Sequence, residues 1–307
     1  MEETTKLPAM GWIPDLPDIR DFSPDTAEID LKLADLGRKE SINSMLMRLK
    51  TEKPRKAPIP LPASKDLRPW FSPVENQLTL GSCTANAGVG LVEYFERRAY
   101  GKHIDASRIF LYKVTRDLLK WTGDRGAYLR TTMKALTLFG VPPEEYCPYV
   151  VADFDIEPSA FLYAFAQNYQ AITYYRLDPP GSVDKNALLL RIKTHLSMNL
   201  PSMFGFTVYT SINQANQTGK IPFPFTGDRV AGGHAIVAAG YDDNVRIKHS
   251  GTGAPEYKGA LLIRNSWGTG WGDNGYGWLP YEYVLKGLAT DWWSLLKSEW
   301  IDTGNFN

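Results

Sequence analysis

The sequence predicts an α+β fold in which a helical lobe is followed by a β-rich, barrel-like lobe, and three observations carry that expectation. Apolar residues recur with helical spacing from about residue 82 to residue 199. Short apolar runs separated by Gly and Pro take over after residue 200. Helices come first and strands second, so the two kinds of element segregate. A chain of 307 residues fits two lobes at about 150 residues each and can bury a core without covalent staples.

Residues 1–30 carry eight acidic side chains against Lys6 and Arg20, with prolines at 8, 14, 17 and 24, the composition of an extended acidic arm. Leu31, Leu33, Leu36, Ile42, Met45, Leu46 and Leu49 then recur at spacings that suggest a short amphipathic helix. It runs into 48–60, where five basic residues and three prolines read as an exposed linker, either a surface tether or the cleavable junction of a pro-segment. Residues 1–60 are therefore expected to be an N-terminal pro-segment or regulatory arm. Beyond it, helices are predicted over about 82–98, closed near Gly101, and over 107–120. A third, over 129–139, stops at Gly140 ahead of Pro142 and Pro143, and two more are expected over 158–168 and 184–199. Strands are expected over 204–209, 235–241 and 260–265. The helical lobe should thus span about 75–200 and the β-rich lobe about 201–290.

Charge and cysteine content narrow the function. Lys and Arg number 34 against 34 Asp and Glu, so a nucleic-acid polyanion is not expected as a partner. The two cysteines, Cys83 and Cys147, allow at most one disulfide and leave no ligand set for a structural zinc, so the chain could fold in a reducing compartment. No window approaches the roughly 18 apolar residues that a membrane span needs, and residues 1–6 have the wrong charge and polarity for a secretory signal. A soluble monomer without metal or cofactor is expected, in the cytoplasm or exported by a route that needs no visible signal peptide.

A lone cysteine is ordinarily a small buried hydrophobe, and Cys147 fits that description. Cys83 is placed differently. It follows Gly81-Ser82 where a Pro/Gly/Thr-rich loop turns into a helix, so free N–H groups and the positive helix end would favour its thiolate, the nucleophilic form. Such a nucleophile needs a base, a group that orients the base, and donors for an oxyanion. Of the four histidines, His103 and His195 lie in or beside polar helical stretches, as surface or cap residues do, and His249 lies at an expected hairpin tip. His234 is the candidate base, because Gly232-Gly233-His234 opens an apolar strand and holds the imidazole at the mouth of a sheet. The next strand ends in Arg264-Asn265-Ser266-Trp267-Gly268-Thr269-Gly270-Trp271-Gly272, where Asn265 can accept from one imidazole nitrogen and aim the ring at Cys83.

Three separated blocks make this sequence similar to the papain-like (C1) cysteine peptidases: Asn76-Gln77 with Gly81-Ser82-Cys83, then Gly233-His234-Ala235, then Asn265 to Gly272. A fourth likeness, Leu61 to Arg68, resembles the start of a mature domain, so the resemblance covers about 61–285. It implies a papain-like two-lobe fold of a divergent, disulfide-free, prokaryotic type over 61–307, with 61–74 joining the β-rich lobe and an active-site cleft between the lobes. Residue by residue, it implies that Cys83 attacks the scissile carbonyl, while His234 pairs with it, protonates the leaving amine and later activates water. Asn265 would orient His234, Trp267 would shield that bond, and Gln77 would serve the oxyanion beside the Cys83 N–H. Gly126, Ala127 and Tyr128 fall where the family pairs its backbone with an extended substrate, although a simple turn also explains them. The implied partner is a peptide or protein substrate, and residues 1 to about 60 would lie across the cleft of an inactive precursor.

The departures from the family pattern are specific. Thr84 stands where an aromatic usually follows the nucleophile, Gly233 replaces a frequent acid, and Leu80 and Asp124 occupy the positions of a disulfide pair. The long spacing from His234 to Asn265 fits an extended hairpin around 245–258. Gly268 to Gly272 lacks the lysine and the helix of a phosphate loop, and Asp153-Phe154-Asp155 lacks the glycine of a calcium loop, so neither implies a ligand. The leading expectation is a cysteine endopeptidase; a catalytically silent papain-like binding protein, or an acyl transferase or peptide ligase using the same site, are the alternatives.

Overall fold

The computed structural model describes residues 8–26, 40–50, 60–170, 173–180 and 184–306. Helix α1 is Ile42–Lys50, so the leucines at 31, 33 and 36 and most of the expected linker lie outside the described residues. The helical lobe is built on α2 (Cys83–Tyr100), which is buried without a break from Cys83 to Phe95. It stops at Gly101, whose φ of +73° few side chains tolerate and whose N–H closes on Arg97 O. Around it pack α3 (Arg108–Leu118), capped by Ser107 Oγ, and α4 (Leu129–Leu138). Helix α5 (Ala160–Ala166) is capped by Ser159. Helix α6 (Lys185–Ser197) is capped by Asp184.

The other half is one antiparallel sheet: β1 (Ser64–Asp66), β2 (Thr173–Arg176), β3 (Ser202–Tyr209), β4 (Val230–Lys248), β5 (Glu256–Arg264), β6 (Tyr276–Pro280) and β7 (Ala289–Leu296). Strand order is β2-β7-β3-β4-β5-β6, with β1 paired to β4. The three expected strands are β3, β4 and β5, and the long β4–β5 hairpin accounts for the wide His234–Asn265 spacing. Strands β2, β6 and β7 are additions to that expectation. Strand β2 carries Arg176 and β7 carries Asp291, two charged side chains that are buried against each other at 3.2 Å. Because β2 lies in the sheet and α6 packs on β4, the chain, after β1, returns to the sheet at residue 173 and not at about 201. His195 is a second difference. Instead of standing at the surface it is 5% exposed, with its ring against Tyr175 and Nδ1 bonded to Arg191 O at 2.9 Å.

After β7, α7 (Glu282–Leu285) having come before it, the chain returns to the helical lobe through α8 (Ser298–Asp302), where Trp300 stacks on Phe95 of α2 at 5.2 Å. A polar tie joins the lobes beneath the cleft. Arg264, the last residue of β5, donates to Ser72 Oγ at 3.1 Å and Pro73 O at 2.7 Å; Ser72 in turn bonds Glu93 of α2, which also accepts the Ala106 N–H at 2.9 Å. Gly90 admits this arrangement, since a Cβ there would lie 2.7 Å from the Arg264 guanidinium. Burial pushes Glu93 up to about 7, against the pull of Arg264. Arg264→Met would leave Glu93 buried without its cation, and an unfolding free energy lower by about 3 kcal/mol is expected in urea titrations at pH 8; a loss below about 1 kcal/mol would show that the tie carries little.

Candidate active site

Cys83 opens α2, and its side chain is fully buried. Strand β4 passes this helix end, and the Ala235 N–H donates to Cys83 Sγ at 3.4 Å. The neighbouring His234 places Nε2 at 2.8 Å from Asn265 Oδ1, one residue past β5. The same oxygen accepts the Ser266 N–H at 2.8 Å, which marks it as the acceptor and Nε2 as the protonated nitrogen. Nδ1 keeps its lone pair and has no hydrogen-bond partner among the described residues, so it is the nitrogen left to take a thiol proton. Trp267 stacks on the imidazole at 4.6 Å and 22°, and Trp271 braces Trp267 edge-on at 5.5 Å. The indole thus lies over an imidazole and an Asn265 side chain that are both buried.

Gln77 is held by the Asn265 block itself. Asn76 pairs antiparallel with Trp267, the Gln77 N–H donates to Ser266 O at 2.8 Å, and the Gly268 N–H donates to Glu75 O at 3.0 Å. Ser266 Oγ donates to Gln77 Oε1 at 2.6 Å, which orients the amide so that Nε2 faces Leu80 O at 2.8 Å and the cleft. Ser266, in the sequence one member of the Asn265–Gly272 block, is thus the side chain that orients the Gln77 amide.

The N-terminal arm runs through the cleft. Gln77 Nε2 donates to Ala9 O at 3.0 Å, the Ala127 N–H to Gly11 O at 2.8 Å, the Ile13 N–H to Ala127 O at 3.1 Å, and the Trp12 N–H to Gly233 O at 3.2 Å. Of the three residues expected to face an extended chain, Ala127 makes these bonds. Gly126 makes room, with φ +75° and a would-be Cβ 2.0 Å from Gly11 O. Tyr128 instead precedes α4, with its ring 5.4 Å from Trp121. The indole of Trp12 is 6% exposed and lies over Gly205 and Gly233, where added Cβ atoms would fall 1.9 Å from the ring and 2.5 Å from Trp12 O. Its Nε1–H reaches Asp291 Oδ2 at 3.1 Å. The signal for this contact was a tryptophan in an otherwise acidic, Pro-rich arm; its partner 279 positions away carried none. Further along, Asp21 accepts from Arg130 Nε and Nη2, each at 2.8 Å, Asp15 pairs with Nη1 of the same side chain, and Asp25 lies 3.3 Å from Arg191.

Under this cover both Cys83 and His234 are fully buried. Burial pushes the Cys83 thiol up to about 11, although N–H groups of Ala235, Gly11, Thr84 and Trp12 pull the other way. Burial pushes His234 down to about 4, with the Asn265 bond opposing it. The thiolate expected from the helix end is therefore not the form of the arm-covered site. Desolvation of both partners outweighs the helix terminus and leaves a thiol beside a neutral imidazole. Elsewhere, Glu75, Asp105 and Glu144 lie close enough to share a cation, but Arg108 already pairs with Glu75 at 2.9 Å and Glu144 at 2.7 Å. Cys83 and Cys147 are both free thiols.

A thiol at a helix start, an imidazole tethered through one nitrogen and a glutamine amide facing the same cleft, carried on a helical lobe and an antiparallel sheet, are the hallmarks of a cysteine-type peptidase. The chain belongs to the papain family: a family model described as papain family cysteine protease matches residues 61–289. It is 31% identical over 223 residues to the uncharacterized peptidase C1-like protein L477 of Acanthamoeba polyphaga mimivirus, covering 71% of this chain and 68% of that protein. Among solved structures, xylellain, a cysteine protease from Xylella fastidiosa, is 31% identical with a TM-score of 0.71, over 94% of this chain and 96% of that one. Digestive procathepsin L 3 of Tenebrio molitor shares the fold at 20% identity and a TM-score of 0.59, over 79% and 72% of the two chains. Among the described residues, no helix is long and apolar enough to cross a membrane.

Two outcomes follow from this geometry. In the full-length chain, alkylation of Cys83 by iodoacetamide should stay slow through pH 8 and rise toward pH 11; a rate already maximal at pH 7 would contradict the buried neutral pair. Ser266→Ala frees the Gln77 amide to rotate and should lower kcat/KM for a peptide about tenfold once the arm is displaced, with thermal stability little changed; an unaltered kcat/KM would remove Ser266 from the site.

Proposed function

We propose that this protein is a cysteine endopeptidase that works through a Cys83 thioacyl-enzyme and is held latent by its N-terminal arm. The observation that supports it best is the division of labour on His234: Nε2–H is fixed by Asn265, and Nδ1 is left for the thiol proton. When a substrate carbonyl replaces the arm, Nδ1 takes the proton from Sγ and the sulfur attacks the carbonyl carbon. The oxyanion is held by Gln77 Nε2 and the Cys83 N–H. Collapse breaks the C–N bond as Nδ1–H protonates the departing amine, and water then enters with Nδ1 as base to release the acid and restore the thiol. Trp267 keeps water from the imidazole's anchor, and Ala127 supplies main-chain pairing for the peptide.

Latency is supported by what the arm occupies. Ala9 O takes the Gln77 Nε2–H, Gly11 and Trp12 direct N–H groups at the sulfur, and Gly11 and Ile13 take both bonding groups of Ala127. Residues 9–13 follow one another past Gln77, Ala127 and Gly233 as a continuous stretch of chain. A site that accepts the interior of a chain suits internal peptide bonds.

A thiol-reactive peptide should label Cys83 after removal of residues 1–60, and much more slowly before it; no labelling in either form would overturn the peptidase reading. Trp12→Ala should raise turnover of an extended fluorogenic peptide by the full-length chain at least tenfold, whereas equal rates with and without Trp12 and with and without 1–60 would reject latency. Gln77→Ala should lower kcat about 100-fold, equivalent to about 3 kcal/mol of transition-state stabilisation, with little change in melting temperature. Mass spectrometry of the products should show hydrolysis; joined peptides would instead indicate acyl transfer.

A further inference from the structure

The positions where the family resemblance places a disulfide are filled by a hydrogen-bonded clasp. The Gly81 N–H donates to both carboxylate oxygens of Asp124, at 2.9 and 3.1 Å. The same peptide unit is gripped from its other side, since Leu80 O accepts from Gln77 Nε2 at 2.8 Å. Asp124 Oδ1 also accepts from the Tyr112 hydroxyl at 2.5 Å, and that hydroxyl oxygen accepts the Gly126 N–H at 3.2 Å. One continuous chain of bonds therefore runs from Gln77 through Leu80–Gly81, Asp124 and Tyr112 to Gly126, the residue beside the Ala127 backbone that pairs with an extended chain. Tyr112 is fully buried on α3, so its ring is fixed by the helical lobe and its hydroxyl is a rigid post.

We infer that Asp124 and Tyr112 are positioning residues that hold the oxyanion glutamine and the peptide-pairing backbone at a set separation, the task a covalent bridge would otherwise perform. Neither touches the reacting atoms. The carboxylate makes the Leu80–Gly81 peptide a better acceptor for Gln77, because bonds in series polarise one another. The post fixes the backbone conformation at Gly126, whose φ of +75° an unanchored loop would readily leave. The clasp contains no sulfur, so its strength is indifferent to redox potential.

This inference rests on the peptidase reading above, and the test separates the two. Full-length chains carrying Trp12→Ala provide the background, with Tyr112→Phe, Asp124→Asn and Asp124→Ala added singly. Two rates are read for Cys83 in each: alkylation by iodoacetamide, which needs only the thiol and its base, and labelling by a thiol-reactive peptide, which also needs the docking backbone and the oxyanion donors. Tyr112→Phe leaves the buried Gly126 N–H without an acceptor and should slow peptide labelling roughly tenfold while iodoacetamide labelling changes less than about twofold. Asp124→Ala should act in the same sense. Asp124→Asn, whose Oδ1 still accepts the Gly81 N–H, should recover part of the loss. Equal changes in both rates, or unchanged peptide labelling in well-folded Tyr112→Phe and Asp124→Ala chains, would overturn the clasp. A background chain that iodoacetamide labels but the peptide does not would instead count against the peptidase reading.

Discussion

Cys83 and His234 lie on elements that share no backbone ladder, so their meeting depends on the packing of the α2 N-terminus against β4. The Ala235 N–H on the Cys83 sulfur is the direct contact. Everything nearby holds it in register. The Arg264–Ser72–Glu93 tie anchors the end of β5 to the middle of α2, and the antiparallel pairing of 75–77 with 266–268 carries Gln77 to the same place. A shift of about an ångström between these lobes would separate the thiol from its base and the oxyanion donor from both.

The same burial that joins the pair also controls its charge. An ion pair in a cleft needs water or dipoles to sustain it, and the docked arm removes the water. Thiol and neutral imidazole are then the favoured forms. The arm is thus suited to act on ionisation as well as on access. Three of its acids have partners on the body of the protein, since Asp15, Asp21 and Asp25 meet Arg130, Arg176 and Arg191. Trp12 supplies the apolar part, over two glycines that leave space for an indole.

Much of the site was legible because its residues sit where local sequence dictates backbone. A cysteine after Gly81-Ser82 starts a helix, His234 begins the buried run of β4, and Asn265 directly follows β5. What escaped notice depends on distant partners. Strand β7 contains Asp291 at φ +62° and is made acceptable by Arg176, Trp293 and the arm's Trp12, none of them near in sequence. Gly233 looked like a missing acid, yet a side chain there would strike Trp12. His195 read as a surface residue because α6 carries polar neighbours, while its own face is turned to Tyr175. The surroundings of Cys83 divide in the same way: the helix end is encoded locally, whereas Gly11 and Trp12, which help to bury the thiol, lie about 70 positions earlier.

The central claim, that the arm-covered site holds a neutral His234 with its proton on Nε2, is tested most directly by nitrogen-15 NMR of the full-length chain labelled at histidine. The account predicts that His234 keeps the chemical shifts of the Nε2–H neutral tautomer from pH 5.5 to pH 8, with the exchange-protected Nε2 proton hydrogen-bonded to Asn265. An imidazolium signature for His234 at pH 7, or the opposite tautomer, would contradict it.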